Sequence, residues 1–215
     1  MNNIFPVWKP IGITSYDVIR QVKKSVPNIK IGHCGTLDPF AEGILILCAG
    51  KSTKKIDGIL TLDKEYSFKI ILGAETDSLD NTGKIIKECV DFEIDKNNVY
   101  DVVKSFSGKI EQIPPYFSAI KVNGKKLYEF ARKDIFIRLK PRKVDIKYIE
   151  ISSINYDSIE LLVKCSKGTY IRALARDIAN KLGTFGYVDS LIRISVGSYD
   201  IKSCYNIEDV IKCLS

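Results

Sequence analysis

The sequence predicts an α+β fold, and three observations carry that expectation. Lys64–Leu72 alternates, with Tyr66, Phe68, Ile70 and Leu72 on one face, as a half-buried strand does. Val144–Ile154 and Ile159–Ser166 are strand-like runs joined by the turn residues Asn155-Tyr156-Asp157-Ser158, which makes them an antiparallel pair. Between such strands, apolar residues recur at helical spacing in three stretches: Val18, Ile19, Val22 and Val26; Val99, Val102, Val103 and Phe106; and Ile171, Leu174, Ala175, Ile178 and Leu182. There is no internal repeat, low-complexity linker or clear boundary, so residues 1–215 are expected to be a single domain.

Taken in order, Ile4–Trp8 reads as a short strand and Lys9-Pro10-Ile11-Gly12-Ile13 as a turn. Thr14 or Ser15 then caps a helix that Pro27 stops. Gly32-His33-Cys34-Gly35-Thr36-Leu37-Asp38-Pro39 follows as a short, stiff loop: its glycines allow a tight turn, and Pro39 biases Asp38 away from helical dihedrals. The apolar run Ile44–Cys48 is a buried strand bracing that loop. On the octapeptide alone, Asp38 reads as a turn cap, which Asp before Pro often is. Gly50-Lys51-Ser52-Thr53-Lys54-Lys55 contains Gly-Lys-Ser, but Leu45 stands where a phosphate loop needs its first glycine, so it reads as a helix start with basic side chains facing solvent.

Beyond Leu72, Gly73–Gly83 is a polar loop whose Asp77 and Asp80 lack the alternating ligands and distal Glu of a calcium loop. Asp95 caps the second helix, Gly108 ends it, and a strand with Ile110 and Ile113 precedes Pro114-Pro115. Phe117–Val122, the turn Asn123-Gly124 and Lys125–Tyr128 form a hairpin passing into a helix. Here Lys121, Lys125, Lys126, Arg132, Lys133, Arg138, Lys140, Arg142, Lys143 and Lys147 interleave with Tyr116, Tyr128, Phe130, Phe136 and Tyr148, half of which are expected in the core. Cations neutralise phosphates and aromatic faces stack bases, so this is the candidate RNA surface.

Near the end of the chain, Cys165–Arg172 passes from strand through Gly168 into the third helix, which Gly183 ends. Tyr170 and Arg172 fall off the centre of its apolar stripe, at the N-terminal end that favours an anion; Arg172 could otherwise pair with Asp177 or a surface carboxylate. A strand over Leu191–Tyr199 and a helix over Asn206–Leu214 close the chain.

Lys and Arg total 33 against 26 Asp and Glu, a formal charge of +7, which favours polyanionic partners without specifying one. Six cysteines without a C-x-x-C pair, and a single histidine, His33, exclude a His-rich metal site and zinc-knuckle spacing; reduced thiols and no metal are expected. No basic leader precedes a long apolar core, and no apolar run approaches the ~20 residues of a membrane helix, so the expected compartment is cytoplasmic.

Five blocks in order resemble the TruB family of pseudouridine synthases. They are Lys9-Pro10-x-Gly12-x-Thr14-Ser15; the octapeptide ending Asp38-Pro39; Lys64-Glu65-Tyr66 with Leu72-Gly73, Thr76-Asp77 and Asp80; Gln112-x-Pro114-Pro115-x-x-Ser118-Ala119-x-Lys121 with Tyr128 and Ala131-Arg132; and Gly168-Thr169-Tyr170-Ile171-Arg172 with Leu191-x-Arg193. Cys34 departs from the usual Thr and Glu42 from a small or hydroxyl residue. The resemblance implies a central mixed, largely antiparallel sheet flanked by helices. It implies isomerisation of uridine in the TΨC loop of tRNA without metal or cofactor, by a monomer needing neither a membrane nor a protein partner. Members commonly carry a C-terminal RNA-binding PUA domain, and residues 1–215 are expected to be the catalytic domain alone.

By the same resemblance Asp38 is the nucleophile, Arg172 the guanidinium that keeps it ionised, and Tyr66 the tyrosine that stacks on the target base and relays a proton. The base must be flipped out to be reached, and His33 is implied to fill or prop the space it leaves. Tyr170 and Leu191 would line the pocket, with Lys9 and Pro10 supporting it. Two other readings stand beside this one: the catalytic subunit of a guide-RNA particle, and a non-catalytic RNA-folding module.

Overall fold

The computed structural model describes residues 3–122, 124–133 and 135–215. In chain order the elements are β1 (Ile4–Lys9), α1 (Ser15–Ser25), β2 (Ile31–Cys34), β3 (Glu42–Ala49), a 3-10 segment Gly50–Lys55, α2 (Ile56–Leu60), β4 (Lys64–Leu72), β5 (Ala74–Thr76), β6 (Ile85–Glu88) and α3 (Lys96–Lys104). There follow β7 (Gly108–Gln112), β8 (Lys121–Val122), β9 (Lys125–Lys126), α4 (Leu127–Ala131), β10 (Arg142–Ile154), β11 (Ser158–Cys165), α5 (Ile171–Lys181), β12 (Gly186–Val196) and α6 (Ile207–Leu214). The main sheet has the order β1-β3-β12-β4-β11-β10-β7, with β2 also paired to β3. It is mixed, as expected: β1 and β2 run antiparallel to β3 and β7 to β10, while β12 runs parallel to β3.

The chain forms two compact units, residues 1–67, 164–167 and 190–215, and residues 68–163 and 168–189. In the first, the run Gly43–Ala49 is buried throughout because β3 is covered on both faces. Alternation sends Leu45, Leu47 and Ala49 to a cluster with Val18, Ile19, Val22 and Val210, from α1 and α6. It sends Ile44, Ile46 and Cys48 to a second cluster with Cys34, Ile59 and Val196. In the second unit Phe68, Ile70 and Leu72 of β4 and Ile159, Leu161 and Val163 of β11 are buried, as are Val99, Val102 and Val103 of α3. So are Leu174, Ala175 and Ile178 of α5.

Four expectations shift. The octapeptide is only partly loop, because Gly32, His33 and Cys34 belong to β2 and pair with Cys48, Leu47 and Ile46. Gly73–Gly83 contains strand β5, which pairs with β6, and its polar groups serve one another: Asp80 Oδ1 accepts from Ser78 Oγ at 2.7 Å and Thr82 N at 3.1 Å. β12 begins at Gly186, not Leu191; Val188 N donates to Leu79 O at 3.1 Å, and Gly186 sits where a Cβ would meet the Ala179 Cβ at 2.6 Å. A glycine among polar residues hides that half of the strand. Of the five aromatics in the basic stretch none is fully buried, whereas all ten cations are exposed. The turn residue Asn123 lies outside the described residues.

Candidate active site

Three contacts from outside the octapeptide fix the backbone around Asp38, and the Lys9–Ser15 stretch supplies two of them. Thr14 closes a capping box with Asp17, its N donating to Asp17 Oδ2 at 2.9 Å and its Oγ1 accepting from Asp17 N at 3.1 Å. The capping role is thereby taken, and the buried Ser15 hydroxyl serves the loop, donating to Leu37 O at 3.1 Å and accepting from Leu37 N at 2.9 Å. Gly12, at φ +88°, donates its N–H to Pro39 O at 2.8 Å. Residues 37 and 39 are thus held on either side of Asp38, which is half-buried and accepts at its backbone oxygen from Ala41 N at 3.1 Å.

The third contact comes from Arg193 on β12, only 1% exposed, whose Nε donates to Ile44 O at 2.6 Å and Nη2 to Gly35 O at 3.0 Å. Its charge is felt by several residues of the predicted site. Burial pushes the Tyr66 hydroxyl pKa up, opposed by the charge of Arg193 and a hydrogen bond from it, with Asp38 adding to the rise. Burial holds the His33 imidazole below its usual range, Arg193 again contributing, and buried Nδ1 of His33 has no hydrogen-bond partner among the described residues. Lys9 is wholly buried and donates from Nζ to Pro10 O at 2.7 Å and Ile13 O at 2.9 Å. Burial lowers its pKa to about 8, with Asp38 and Glu42 raising it and Arg193 lowering it. Leu191 is buried two residues before Arg193, and Pro10 is exposed.

A stability test follows from Lys9. Its folded pKa of about 8 lies below the ordinary 10.5, so between those values the unfolded chain binds more protons and stability rises with pH. In denaturant titrations across that window, the wild-type curve should exceed that of Lys9→Met in slope by up to about 1.4 kcal/mol per pH unit. Parallel curves would mean that Lys9 titrates normally.

Tyr170 and Arg172 belong to the second unit. Tyr170 is the N-cap of α5; its N–H donates to Gln112 Oε1 at 2.8 Å, and its carbonyl accepts from Gln112 Nε2 at 3.1 Å. This gives the buried Gln112 a definite purpose. Arg172 is 4% exposed, not a solvated residue at a helix end. It donates to Ser78 O at 2.6 Å and Phe117 O at 2.8 Å, and its Nη1 lies 3.4 Å from Asp80 Oδ2. Asp177 pairs instead with Arg176 at 2.8 Å.

In the basic stretch, Lys126 and Arg132 lie 5.5 and 5.4 Å from the Tyr128 ring centroid, and Tyr116 meets Phe136 edge-on at 5.0 Å. Among the described residues no group of three or more His, Cys, Asp or Glu side chains is placed to hold a metal ion, and no helix is long and apolar enough to cross a membrane.

The motif Leu191-x-Arg193 by itself assigns no role to Arg193. The available signal was a lone arginine in the apolar run Leu191-Ile192-Arg193-Ile194, where an unpartnered charge would be costly.

Residues 21–171 match the N-terminal domain of the TruB family pseudouridylate synthases. The chain belongs to the TruB family. Among relatives of this member, the tRNA pseudouridine synthase B of Clostridium tetani is 45% identical over 210 residues, 98% of this chain and 73% of that one. That of Endomicrobium trichonymphae is 43% identical, covering 94% of this chain and 87% of its own. Among solved structures, a chain of a Cbf5–Nop10–Gar1 complex superposes with a TM-score of 0.74 at 26% identity over 97% of this TruB member, which spans about half (53%) of that longer chain.

Proposed function

We propose that this TruB family member isomerises uridine to pseudouridine at position 55 in the TΨC loop of tRNA, with Asp38 as the nucleophile. The observation that carries the reading is the clamped loop. Its backbone is held at residues 35, 37 and 39, and the Asp38 charge falls on a half-buried tyrosine and a buried lysine. The reaction breaks the bond between uracil N1 and the sugar C1′, turns the base and joins C5 to C1′; the C5 proton is lost and N1 takes one up, so atoms and electrons balance. Asp38 attacks the sugar, assists glycal formation or adds to the ring, and in each case must be ionised.

Tyr66 stacks on the flipped base and accepts or relays the C5 proton. His33, held neutral by burial, suits an apolar wedge in the emptied stack. Leu191 lines the pocket, and Lys9 with Pro10 supports the loop. The ten exposed cations around Tyr128 and Phe136 form the RNA cradle. The protein acts in the cytoplasm as a monomer without an obligatory protein partner. The test is incubation with unmodified tRNA, followed by pseudouridine-specific derivatisation and mapping by mass spectrometry. Modification of position 55 is expected; an unmodified tRNA, or modification elsewhere, overturns the reading.

A further inference from the structure

We infer that Arg193 is a positioning residue for the proposed reaction: its guanidinium ties both ends of the segment from Gly35 to Ile44 to one buried strand, and so fixes where Asp38 stands. The inference rests on Asp38 being the nucleophile. The two hydrogen bonds to this segment run to backbone carbonyls, Nε to Ile44 O at 2.6 Å and Nη2 to Gly35 O at 3.0 Å, so they hold main chain, while a further one reaches the Tyr66 hydroxyl. Gly35 and Ile44 bracket Asp38 in sequence. The strand bearing the guanidinium is itself registered on β3, with Ile192 opposite Glu42 and Arg193 opposite Gly43. Nη1 also lies 3.4 Å from where a Cβ on Gly35 would stand, so the planar group packs against the turn as well as bonding to it.

Burying a guanidinium is costly, and an apolar residue would fill a strand interior without that penalty. The planar fork offers what an apolar residue cannot, donors set in fixed directions toward two separate carbonyls. Ser15 and Gly12 secure Leu37 and Pro39 from one side of the loop, but neither reaches the segment's ends. Arg193 supplies that closure, and the Tyr66 hydroxyl lies in the field of the same charge. A ten-residue segment closed at both ends loses most of its freedom before substrate arrives, the condition for holding a nucleophile in attack geometry.

The decisive variant is Arg193→Lys, which keeps the charge but replaces the fork with a single ammonium. In single turnover on unmodified tRNA its rate constant should fall about 10- to 100-fold, with tRNA Kd within about 2-fold of wild type. Amide exchange over residues 36–41 should quicken at least about 10-fold while the α1 amides keep their protection. An unchanged rate, a Kd that weakens in step with the rate, or exchange that rises evenly through β1–β3 would overturn the assignment. Should the wild type itself leave tRNA unmodified, the proposed reaction fails, whereas the exchange comparison still decides whether Arg193 clamps the segment. Should the lysine variant not fold, the wild type decides: the Arg193 Nε–H, donating to Ile44 O, should give a nitrogen-15 signal protected from solvent exchange. A freely exchanging signal overturns the clamp.

Discussion

Asp38→Asn should lower single-turnover pseudouridine formation by at least about 10³-fold, the scale on which removal of a nucleophile is felt. Its tRNA affinity should stay within about 3-fold. Asparagine has the shape of aspartate, and the hydrogen bonds from Ser15, Gly12 and Ala41 to Leu37, Pro39 and Asp38 run to backbone groups that the substitution leaves in place, so the loop should persist. What is lost is the charge and the nucleophilic oxygen. Removing that charge has a second effect that reports on geometry independently of turnover. Asp38 is the largest influence holding the Lys9 pKa up against burial, so in the variant it should fall further below about 8. The alkaline rise in stability should then begin at lower pH than in wild type. Measured together, full retention of turnover would remove Asp38 from the mechanism, whereas an unmoved stability profile would remove it from the neighbourhood of Lys9.

The elements readable in advance are those whose cause lies within a few residues. The Ile44–Cys48 run, the cap at Thr14 or Ser15, the Asp95 cap and the Gly183 helix end are local patterns of apolarity, a capping oxygen and a glycine at φ +82°. The site resisted the same treatment. Asp38 in its octapeptide is indistinguishable from a turn residue, and only motifs distributed over the chain lift it out. Arg193 meets Gly35 across 158 positions, and nothing near either residue announces the contact. The burial of Arg172 is hidden for a related reason. Helical periodicity assigns it to the edge of the apolar stripe, but the carbonyls of Ser78 and Phe117, remote in sequence, receive its guanidinium and make burial tolerable. The early start of β12 is hidden likewise, since its strand character comes from a partner at Leu79 and not from alternation of its own residues.

Gly43→Ala should destabilise the protein by about 3 kcal/mol or more, the combined effect of a strained backbone and a clash that nothing flexible can relieve. Gly43 sits between two strands, opposite Lys9 of β1 on one side and Arg193 of β12 on the other. Its φ is +116°, and a Cβ there would stand 2.3 Å from Arg193 O and 2.6 Å from Arg193 N. Those are main-chain atoms in a parallel ladder, so relief requires moving β12 away from β3 and with it the guanidinium that holds Gly35 and Ile44. Gly183→Ala provides the control for backbone strain alone. It has a similarly positive φ of +82° but nothing within 4 Å of the added methyl, and should cost about 1 kcal/mol. Gly58→Ala, inside α2 with open space and no positive φ, should instead gain about 0.5–1 kcal/mol. Urea titrations of the three variants separate the contributions. If Gly43→Ala and Gly183→Ala lose the same amount, the β3–β12 approach is looser than the structure places it. If Gly43→Ala alone is severe, the close passage of these strands is what brings Arg193 to the loop bearing Asp38.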